Sequence, residues 1–377
     1  MAELGKASQQ ELKKISSAFQ VYGDFVCGCP YGSGHINDTY RVTYSVGGIQ
    51  LHYLLQRINH HVFTQPANVQ QNILRVTRCI ADKLRERGEQ DISRRTLTLI
   101  LSRDGEPVHH DPEGNWWRMY IFIEGAQTYD QIQSPAQAEL VGEAFADFQN
   151  LVADLTSPRL HETIPNFHNT LKRYEALQTA IRNDTFNRAK DVEDEIAFVE
   201  ARAHTFGHLL ERCAKGELPE RVTHNDTKLN NVMLDNETGK GICVIDLDTV
   251  MPGLALYDFG DMCRTATANA AEDERDLSKV YSRMDMFESI VTGYCRGAKF
   301  LVAAEKEELA FSARLITMTI GIRFLTDYLS GDTYFHIKRV GHNVDRCRTQ
   351  FKMVQSMEEQ AEQMEALVKK ALIAENA

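Results

Sequence analysis

Two short segments of the chain carry oxygen donors at a spacing that suits metal-assisted chemistry on phosphate. HNDTKLNN contains Asp226 and, five residues later, Asn231. VIDLDTV contains Asp246, twenty residues after Asp226, and then Asp248. Hard oxygen donors of this kind are typical ligands of Mg²⁺, which is usually held by one or two carboxylates plus substrate phosphates. We predict Asn231 and Asp246 as the magnesium ligands, with Asp248 as a further ligand or as support for the ligands.

The predicted elements around these segments explain how the donors would meet. VMLD (232–235) and GICVIDL (241–247) flank the turn NETG, which is typical of a β-hairpin. In an antiparallel hairpin, residues just before the first strand lie near the end of the second, so Asn231 and Asp246 are expected at one edge. Asp258 stands in a DFG triplet that resembles a kinase metal motif, but it follows Asp246 by twelve residues and lies beyond that hairpin. We therefore predict that Asp246, and not Asp258, binds the metal.

The first third of the chain is predicted to be rich in strands. TYRVTYSV and IQLHYLLQRI alternate on either side of Gly47-Gly48, which indicates a hairpin. A helix from Pro66 to Gly88 follows, and TLTLIL and NWWRMYIFI predict two more strands. Before the hairpin, YGSGHINDTY holds Gly32 and Gly34, where the backbone either covers a phosphate or forms a plain tight turn.

Length and pattern predict two domains. The chain has 377 residues, more than a single core usually serves. From about residue 130 the pattern becomes mainly helical, so the boundary is expected within FIEGAQ. We predict an α+β architecture with a small β-rich lobe (1–124) and a larger, mainly helical lobe (125–377).

Charge and cysteine content restrict the class of protein. The formal net charge is −11 and the pI is about 5.7, which argues against a nucleic-acid partner and against an anionic membrane surface. The N-terminus lacks the apolar core of a signal peptide, and no run approaches the roughly 20 apolar residues that span a bilayer. The eight scattered cysteines suit reduced thiols. We expect a cytoplasmic, soluble enzyme.

The two oxygen-rich segments resemble the catalytic core of the aminoglycoside phosphotransferase and choline kinase family, which shares the bilobal fold of protein kinases. From YGSGHINDTY through RVTHNDTKLNN to RFLTDYLSGDTYF, nearly the whole chain is similar to the bacterial N-acetylhexosamine 1-kinases. The resemblance implies an ATP- and Mg²⁺-dependent kinase that phosphorylates the anomeric hydroxyl of N-acetylglucosamine or N-acetylgalactosamine. It also implies that the 1–124 lobe binds the nucleotide and that the 125–377 lobe binds the sugar.

The same resemblance implies roles for single residues. Asp226 would orient the sugar hydroxyl and accept its proton, while Asp258 and Asp261 would brace the catalytic loop. The remaining positions divide into residues near the nucleotide and residues near the sugar. Those near the nucleotide are Gly32, Gly34, Phe122, Ile123 and Glu124, and those near the sugar are His35, Asp226, Arg323 and Tyr334. His224, before Asp226, is expected to be a structural hydrogen-bonding residue.

The chain departs from protein kinases at one position. Protein kinases carry a lysine on the third strand, paired with a helix glutamate. Here the third strand reads YLLQRIN, without a lysine, and the following helix supplies no glutamate. Arg57 is a candidate cation for the nucleotide phosphates, although strand alternation would equally allow it to point outward.

Two alternative functions stay open at this level. One is a kinase of the same fold for another small alcohol, such as choline, an amino alcohol or an aminoglycoside. The other is a nucleotide-binding pseudokinase that regulates a partner, which the missing lysine favours. The C-terminal segment from Phe351 onward is predicted to form an amphipathic helix that packs on its own lobe, in a monomer or a weak dimer.

Overall fold

The computed structural model describes residues 7–32 and 36–375, which form two compact units. The N-terminal unit contains residues up to Gln127 together with Ser157–Ile164 and Met233–Met251. The C-terminal unit contains Thr128–Thr156, Pro165–Val232 and the chain from Pro252 onward. The sequence predicted one cut, between residues 124 and 125. The two later segments of the N-terminal unit are therefore additions that only the structure reveals.

The first part of the chain holds most of the strands. Its elements are α1 (Gln9–Ser16), β1 (Asp24–Pro30), β2 (Asp38–Val46), β3 (Ile49–Ile58), α2 (Pro66–Glu86), α3 (Ile92–Arg95), β4 (Leu99–Ile100), β5 (His109–His110), β6 (Trp116–Ile121) and β7 (Ala126–Gln127). The predicted strand TLTLIL is shortened to the two residues of β4, whereas the predicted helix and the other predicted strands are present.

The rest of the chain is mainly helical. Its elements are α4 (Pro135–Val152), α5 (Thr170–Asn183), α6 (Glu193–Glu200), α7 (His208–Ala214), β8 (Arg221–Thr223), β9 (Val232–Asp235), β10 (Gly241–Val244), β11 (Met251–Gly253), α8 (Ala255–Ala266), α9 (Met284–Gly297), α10 (Ala303–Glu307), α11 (Leu309–Leu329), α12 (His342–Glu359) and α13 (Ala361–Glu375). Short 3₁₀ turns at Leu229–Asn231 and Leu247–Thr249 lie next to the predicted metal ligands.

An antiparallel sheet of order β1-β2-β3-β6-β4, with β5 also paired to β6, forms the body of the N-terminal unit. The predicted β2–β3 hairpin is confirmed, with Val46 opposite Ile49 across Gly47 and Gly48. Both glycines have positive φ, 58° and 87°, as a two-residue hairpin turn of this kind requires. One face of the sheet packs a continuous core against α1. This core contains Leu12, Ile15, Phe19, Tyr40, Val42, Tyr44, Leu55, Trp117 and Met119.

The predicted hairpin at 232–247 is present, but its second strand is shorter than expected. β10 ends at Val244, and β9 pairs on its other side with β7. Asp246 follows with a left-handed backbone (φ 59°), which ends the extended conformation before this residue. Asp246 therefore begins the short 3₁₀ turn Leu247–Thr249 and does not lie within the strand.

Helices α4 and α9 approach each other closely in the C-terminal unit. A Cβ atom on Gly293 would lie 2.0 Å from the carbonyl oxygen of Glu139, and one on Gly142 would lie 2.6 Å from that of Ile290. The glycines therefore permit backbone contact between the two helices. Helix α11 has the length and apolarity to cross a membrane, but 78% of its apolar window is buried inside the protein, as in a core helix of a soluble fold.

The C-terminal segment differs from the single helix predicted. Helix α12 ends at Glu359 and α13 begins at Ala361. The side chain of Gln360 donates hydrogen bonds to the carbonyls of Ser282 and Ser356, at 3.2 and 3.0 Å. Met364 and Val368 are buried within this chain, so the apolar side of α13 is covered by the chain's own residues.

The contact between α4 and α9 predicts the effect of adding one methyl group. Gly293→Ala should lower the free energy of unfolding by about 1–3 kcal/mol, because the backbone of Glu139 cannot move aside without shifting a helix. Urea unfolding followed by circular dichroism measures this loss. Gly207→Ala is the control, since its new methyl would meet only the ends of two side chains, the Glu211 carboxylate and a Leu171 methyl group. Equal stability of the Gly293→Ala variant and the wild type would refute the close packing.

Candidate functional site

The loop that carries Asp226 is held by two buried carboxylates of helix α8. Asp258 is fully buried, and its carboxylate accepts hydrogen bonds from the backbone N–H groups of His224 (2.8 Å) and Asn225 (2.7 Å). The side chain of Gln149 donates a third bond to it, at 2.8 Å. Burial raises the pKa of Asp258 to about 6. With both oxygens committed to the loop, Asp258 is a structural residue, and the DFG letters do not mark a metal ligand.

Asp261 extends the same support by one turn of the helix. Its carboxylate accepts a hydrogen bond from the backbone N–H of Thr227 at 2.9 Å and forms an ion pair with Arg264 at 2.8 Å. Although burial disfavours its charged form, the positive charge of Arg264 lowers the pKa of Asp261. Three backbone N–H groups of residues 224–227 are thus fixed by α8, and Asp226 is the loop residue whose carboxylate stays partly accessible.

Asp226, Asn231 and Lys228 form the polar end of this loop. The side-chain amide of Asn231 donates to the backbone oxygen (2.8 Å) and to the carboxylate (3.0 Å) of Asp226. The Lys228 ammonium lies 2.7 Å from the same carboxylate. Because Asn231 uses its nitrogen for these bonds, its amide oxygen is the atom that fits a metal ligand. Lys228 was missed by the sequence analysis, although it lies only two residues after Asp226.

Two histidines support the loop from within the C-terminal unit. His224 is buried against the rings of Phe145 and Phe148, at centroid distances of 5.4 and 5.8 Å, as expected of a structural residue. His168 is also buried, and its Nε2 lies 3.1 Å from the carbonyl oxygen of Asn225. Burial lowers the pKa of His168 to about 4, so this imidazole is neutral at physiological pH. His168 carries no local sequence signal and was not predicted.

Arg323 and Tyr334 are brought together as the sequence resemblance implied. A guanidinium nitrogen of Arg323 lies 3.3 Å from the Tyr334 hydroxyl, and the guanidinium stacks 4.7 Å from the Phe167 ring centre. Asp327 fixes the loop that carries Tyr334, because its carboxylate accepts backbone hydrogen bonds from residues 333–335. Tyr334 is 54% exposed. The pair offers one guanidinium and one hydroxyl, both suited to an oxygen-bearing ligand.

In the N-terminal unit, a buried arginine binds Asp248. Arg118 donates from both terminal guanidinium nitrogens to the two carboxylate oxygens of Asp248, and the Asn37 amide adds a bond of 2.7 Å. Each partner of this ion pair is 2% exposed. Although burial disfavours its charged form, the negative charge of Asp248 raises the pKa of Arg118. Asp248 is therefore fully engaged by protein groups, which favours the supporting role for it over the ligand role.

Asp246 lies at the surface, whereas Asp248 is buried. The charge of Asp246 contributes to the raised pKa of Arg118. Among the residues described, no three His, Cys, Asp or Glu side chains are grouped closely enough to hold a metal by themselves. A single exposed carboxylate is nevertheless the donor that Mg²⁺ uses when phosphate oxygens and water complete its shell. The Asp246 carboxylate and the Asn231 amide oxygen are each, by their chemistry, a donor that Mg²⁺ accepts.

On β3, where protein kinases carry a lysine, the side chains form a polar network. Gln56 lies opposite Arg118 in the β3–β6 register, and its side-chain oxygen accepts a bond of 2.8 Å from that arginine. The neighbouring Arg57 is buried, pairs with Asp38 at 2.7 Å and stacks over the ring of Trp117. Arg118 was not identified from the sequence because it lies on another strand, 62 positions after Gln56.

The remaining predicted nucleotide residues lie in the N-terminal unit. The Phe122 ring contacts the Tyr31 ring at 5.1 Å, edge to face, and Ile123 is buried. The Glu124 carboxylate lies 2.5 Å from Nδ1 of His52, and its backbone oxygen accepts a bond from Arg94.

The predicted glycine-rich turn is described only in part. Gly32 has φ 79°, a conformation that favours glycine, and no atom of the described residues lies within 4 Å of the position that a Cβ would take. The predicted residues Gly34 and His35 lie outside the described part of the chain.

Comparison with known proteins gives a family and a fold. A family model described as the phosphotransferase enzyme family matches residues 28–287. An aminoglycoside phosphotransferase from Alicyclobacillus acidocaldarius is similar, with 12% identity, a TM-score of 0.56 and coverage of 96% of this chain and 95% of that one. A spectinomycin phosphotransferase in complex with ADP and spectinomycin has 13% identity, a TM-score of 0.51 and coverage of 94% and 100%.

A third solved structure comes from a different kind of organism. An ethanolamine kinase of Plasmodium vivax has 16% identity, a TM-score of 0.50 and coverage of 86% of this chain and 81% of that one. At these identities the likeness concerns the fold, and it confirms the predicted α+β, kinase-like architecture. The family match ends at residue 287, so Arg323 and Tyr334 lie beyond it.

The neutral state of His168 predicts a pH-dependent stability. A base whose folded pKa (about 4) lies below its ordinary value of 6.5 stabilises the fold fully above pH 6.5 and loses that contribution as the pH falls toward 4. The wild-type protein should therefore lose its stability advantage over His168→Gln between pH 7 and pH 4, by up to about 3 kcal/mol. Denaturant unfolding of both proteins at several pH values measures this difference. A constant difference would contradict the buried neutral imidazole.

Because Arg118 and Asp248 form a buried ion pair, replacing one partner should destabilise the protein more than replacing both. Arg118→Leu should destabilise the protein by about 3–5 kcal/mol, because it leaves a buried carboxylate without its cation. The double variant with Asp248→Leu should recover much of this loss in urea unfolding. Arg85→Leu, which breaks an exposed pair with Asp82, is the control and should cost less than about 1 kcal/mol. A double variant no more stable than Arg118→Leu would contradict the expectation.

Proposed function

Because the chain belongs to the phosphotransferase enzyme family, we propose that it transfers the γ-phosphoryl group of ATP to the anomeric C1 hydroxyl of an N-acetylhexosamine. The acceptors are N-acetylglucosamine and N-acetylgalactosamine, and the product is the sugar 1-phosphate. Phosphoryl transfer to a small molecule is the activity of the family, and the N-acetylated sugar is the specific element of the proposal.

The observation that carries the choice of acceptor is the contact between Arg323 and Tyr334. A guanidinium donates hydrogen bonds only, and a phenol both donates and accepts. Such a pair suits the hydroxyl and acetamide oxygens of a neutral sugar. An ammonium group, as in choline, ethanolamine or an aminoglycoside, would favour acidic or aromatic groups in place of a guanidinium. His35, predicted near the sugar, belongs to the same proposal.

Asp226 is the proposed base. Its carboxylate would orient the C1 hydroxyl and accept its proton as the bond to phosphorus forms. The loop geometry supports this role, since α8 fixes the backbone on both sides of Asp226 while its carboxylate stays accessible. General-base assistance of this kind contributes roughly 10²–10⁴ in rate. The Lys228 ammonium lies 2.7 Å from this carboxylate and would turn toward a phosphate oxygen when the sugar hydroxyl takes its place.

The N-terminal unit supplies the proposed nucleotide contacts. Phe122, Ile123 and Glu124 would lie along the adenine, and the backbone of Gly32 and Gly34 would cover the phosphates. Asp246 and Asn231 are the proposed donors to Mg²⁺, which would neutralise the charge of the transferred phosphate. Arg57, on β3, is the proposed cation for the phosphates, and its guanidinium also forms an ion pair with Asp38.

The proposed location is the cytoplasm, where ATP is available. None of the eight cysteines forms a disulfide in the structure, and cysteines without disulfides are usual in proteins of a reducing compartment. The acidic surface implied by a net charge of −11 gives no attraction for nucleic acid or anionic lipid.

Acceptor screening tests the proposal. ADP release would be measured with ATP and Mg²⁺ across N-acetylglucosamine, N-acetylgalactosamine, glucose, galactose, choline and kanamycin. We expect turnover on the N-acetylated sugars, with phosphate on C1 identified by ³¹P NMR. Asp226→Asn should lower kcat by about 10²-fold or more, whereas Asp194→Asn, at an exposed position on α6, should leave it unchanged.

Two other outcomes of the screen would each indicate one of the alternative functions. Turnover on choline or kanamycin alone would keep the phosphotransferase mechanism and reject the sugar. ATP binding without turnover on any acceptor would indicate the regulatory pseudokinase.

A further inference from the structure

Two arginines of the C-terminal unit lie side by side without a balancing carboxylate. Arg323, on α11, stacks on the ring of Phe167, and Arg173, on α5, donates two hydrogen bonds to the backbone oxygen of that same residue, at 3.2 and 3.1 Å. Within the described part of the chain, neither guanidinium has a carboxylate at ion-pair distance, in contrast to Arg264 nearby. Phe167 thus contacts two positively charged side chains, one through its ring and one through its backbone oxygen.

The positive charge of Arg323 affects the ionisation of Arg173. Burial and the neighbouring charge of Arg323 lower the pKa of Arg173 to about 10. Burial also lowers the pKa of Arg323. Both groups stay protonated at neutral pH, so the repulsion persists in the working enzyme. Two like charges that destabilise the fold, and that no carboxylate pairs with among the described residues, are typical of a ligand-binding site.

Direct contacts connect this pair of arginines to the loop of Asp226. Phe167 is followed by His168, whose Nε2 lies 3.1 Å from the carbonyl oxygen of Asn225, the residue before Asp226. Of the three carboxylates that contact the loop, Asp226 pairs with Lys228 and Asp261 pairs with Arg264, while Asp258 is buried among hydrogen-bond donors. The two guanidiniums around Phe167 therefore add positive charge that no ion pair balances within the described residues.

We propose that Arg173 is a specificity-determining residue that, together with Arg323, excludes acceptors carrying an ammonium group. This inference rests on the proposed function and deepens it, because it separates neutral sugars from cationic amino sugars and amino alcohols. Glucosamine and glucose have closely similar shapes, but at neutral pH glucosamine carries an ammonium group where glucose carries a hydroxyl. Repulsion between that ammonium and the two guanidiniums disfavours glucosamine both when it binds and in the transition state.

The test is the ratio of kcat/KM for glucosamine to kcat/KM for glucose, measured at pH 7 in the full-length protein. Arg173→Gln keeps a donor for the Phe167 carbonyl but removes the charge. We expect it to raise this ratio about tenfold, the scale of one unit charge at roughly 12 Å where the effective dielectric constant is about 20. Arg173→Lys keeps the charge and should keep the ratio within about twofold of the wild type. Arg182→Gln, an exposed arginine on the same helix, should also leave the ratio unchanged.

The outcomes separate this inference from the proposed function. A general loss of packing in Arg173→Gln would lower both kcat/KM values and leave their ratio constant, which would overturn the inference. Wild-type preference for choline, ethanolamine or glucosamine over neutral sugars would overturn it as well. Wild-type turnover on glucose without any on N-acetylglucosamine would reject the N-acetylhexosamine as substrate, while the glucosamine-to-glucose ratio would still decide the role of Arg173.

Discussion

A single buried carboxylate, Asp258, determines the shape of the loop on which the proposed chemistry depends. Burying a carboxylate is costly unless hydrogen bonds replace its hydration. Here two consecutive backbone N–H groups and the Gln149 amide supply them. In return, the positive φ of Asn225 (67°) is held in place, and the chain turns so that Asp226 faces away from the core. Helix α8 therefore functions as a rigid support for a short loop that has little regular structure of its own.

Local features of the fold could be predicted from the sequence, and distant ones could not. Gly47-Gly48 between alternating strands predicts the hairpin, and the periodic residues of α2 up to Gly88 predict that helix, because each signal is contained within about twenty residues. The pairing of Arg118 with Asp248 joins residues 130 positions apart. No local pattern distinguishes such an arginine from its solvent-exposed counterparts.

The candidate site shows the same division. The spacing of Asp226, Asn231 and Asp246 gave the central residues, since motifs of this kind keep their functional side chains close in sequence. His168 and Arg173 were missed because His168 contacts the loop, and Arg173 contacts Phe167 next to Arg323, through tertiary packing. The short β10 was also not foreseen, because the left-handed backbone of Asp246 (φ 59°) is unusual for a residue other than glycine.

The engagement of Asp248 by Arg118 and Asn37 has a consequence for the affinity of the protein for metals. It leaves Asp246 as the exposed carboxylate of its segment, and the two proposed donors, one carboxylate and one amide oxygen, would supply only two of the six positions that Mg²⁺ fills. A free cation would therefore bind weakly to the protein alone, and most of its shell would come from phosphate and water. We expect the ion to arrive already bound to the nucleotide, so that Mn²⁺ substitutes readily and ion selectivity follows cellular abundance.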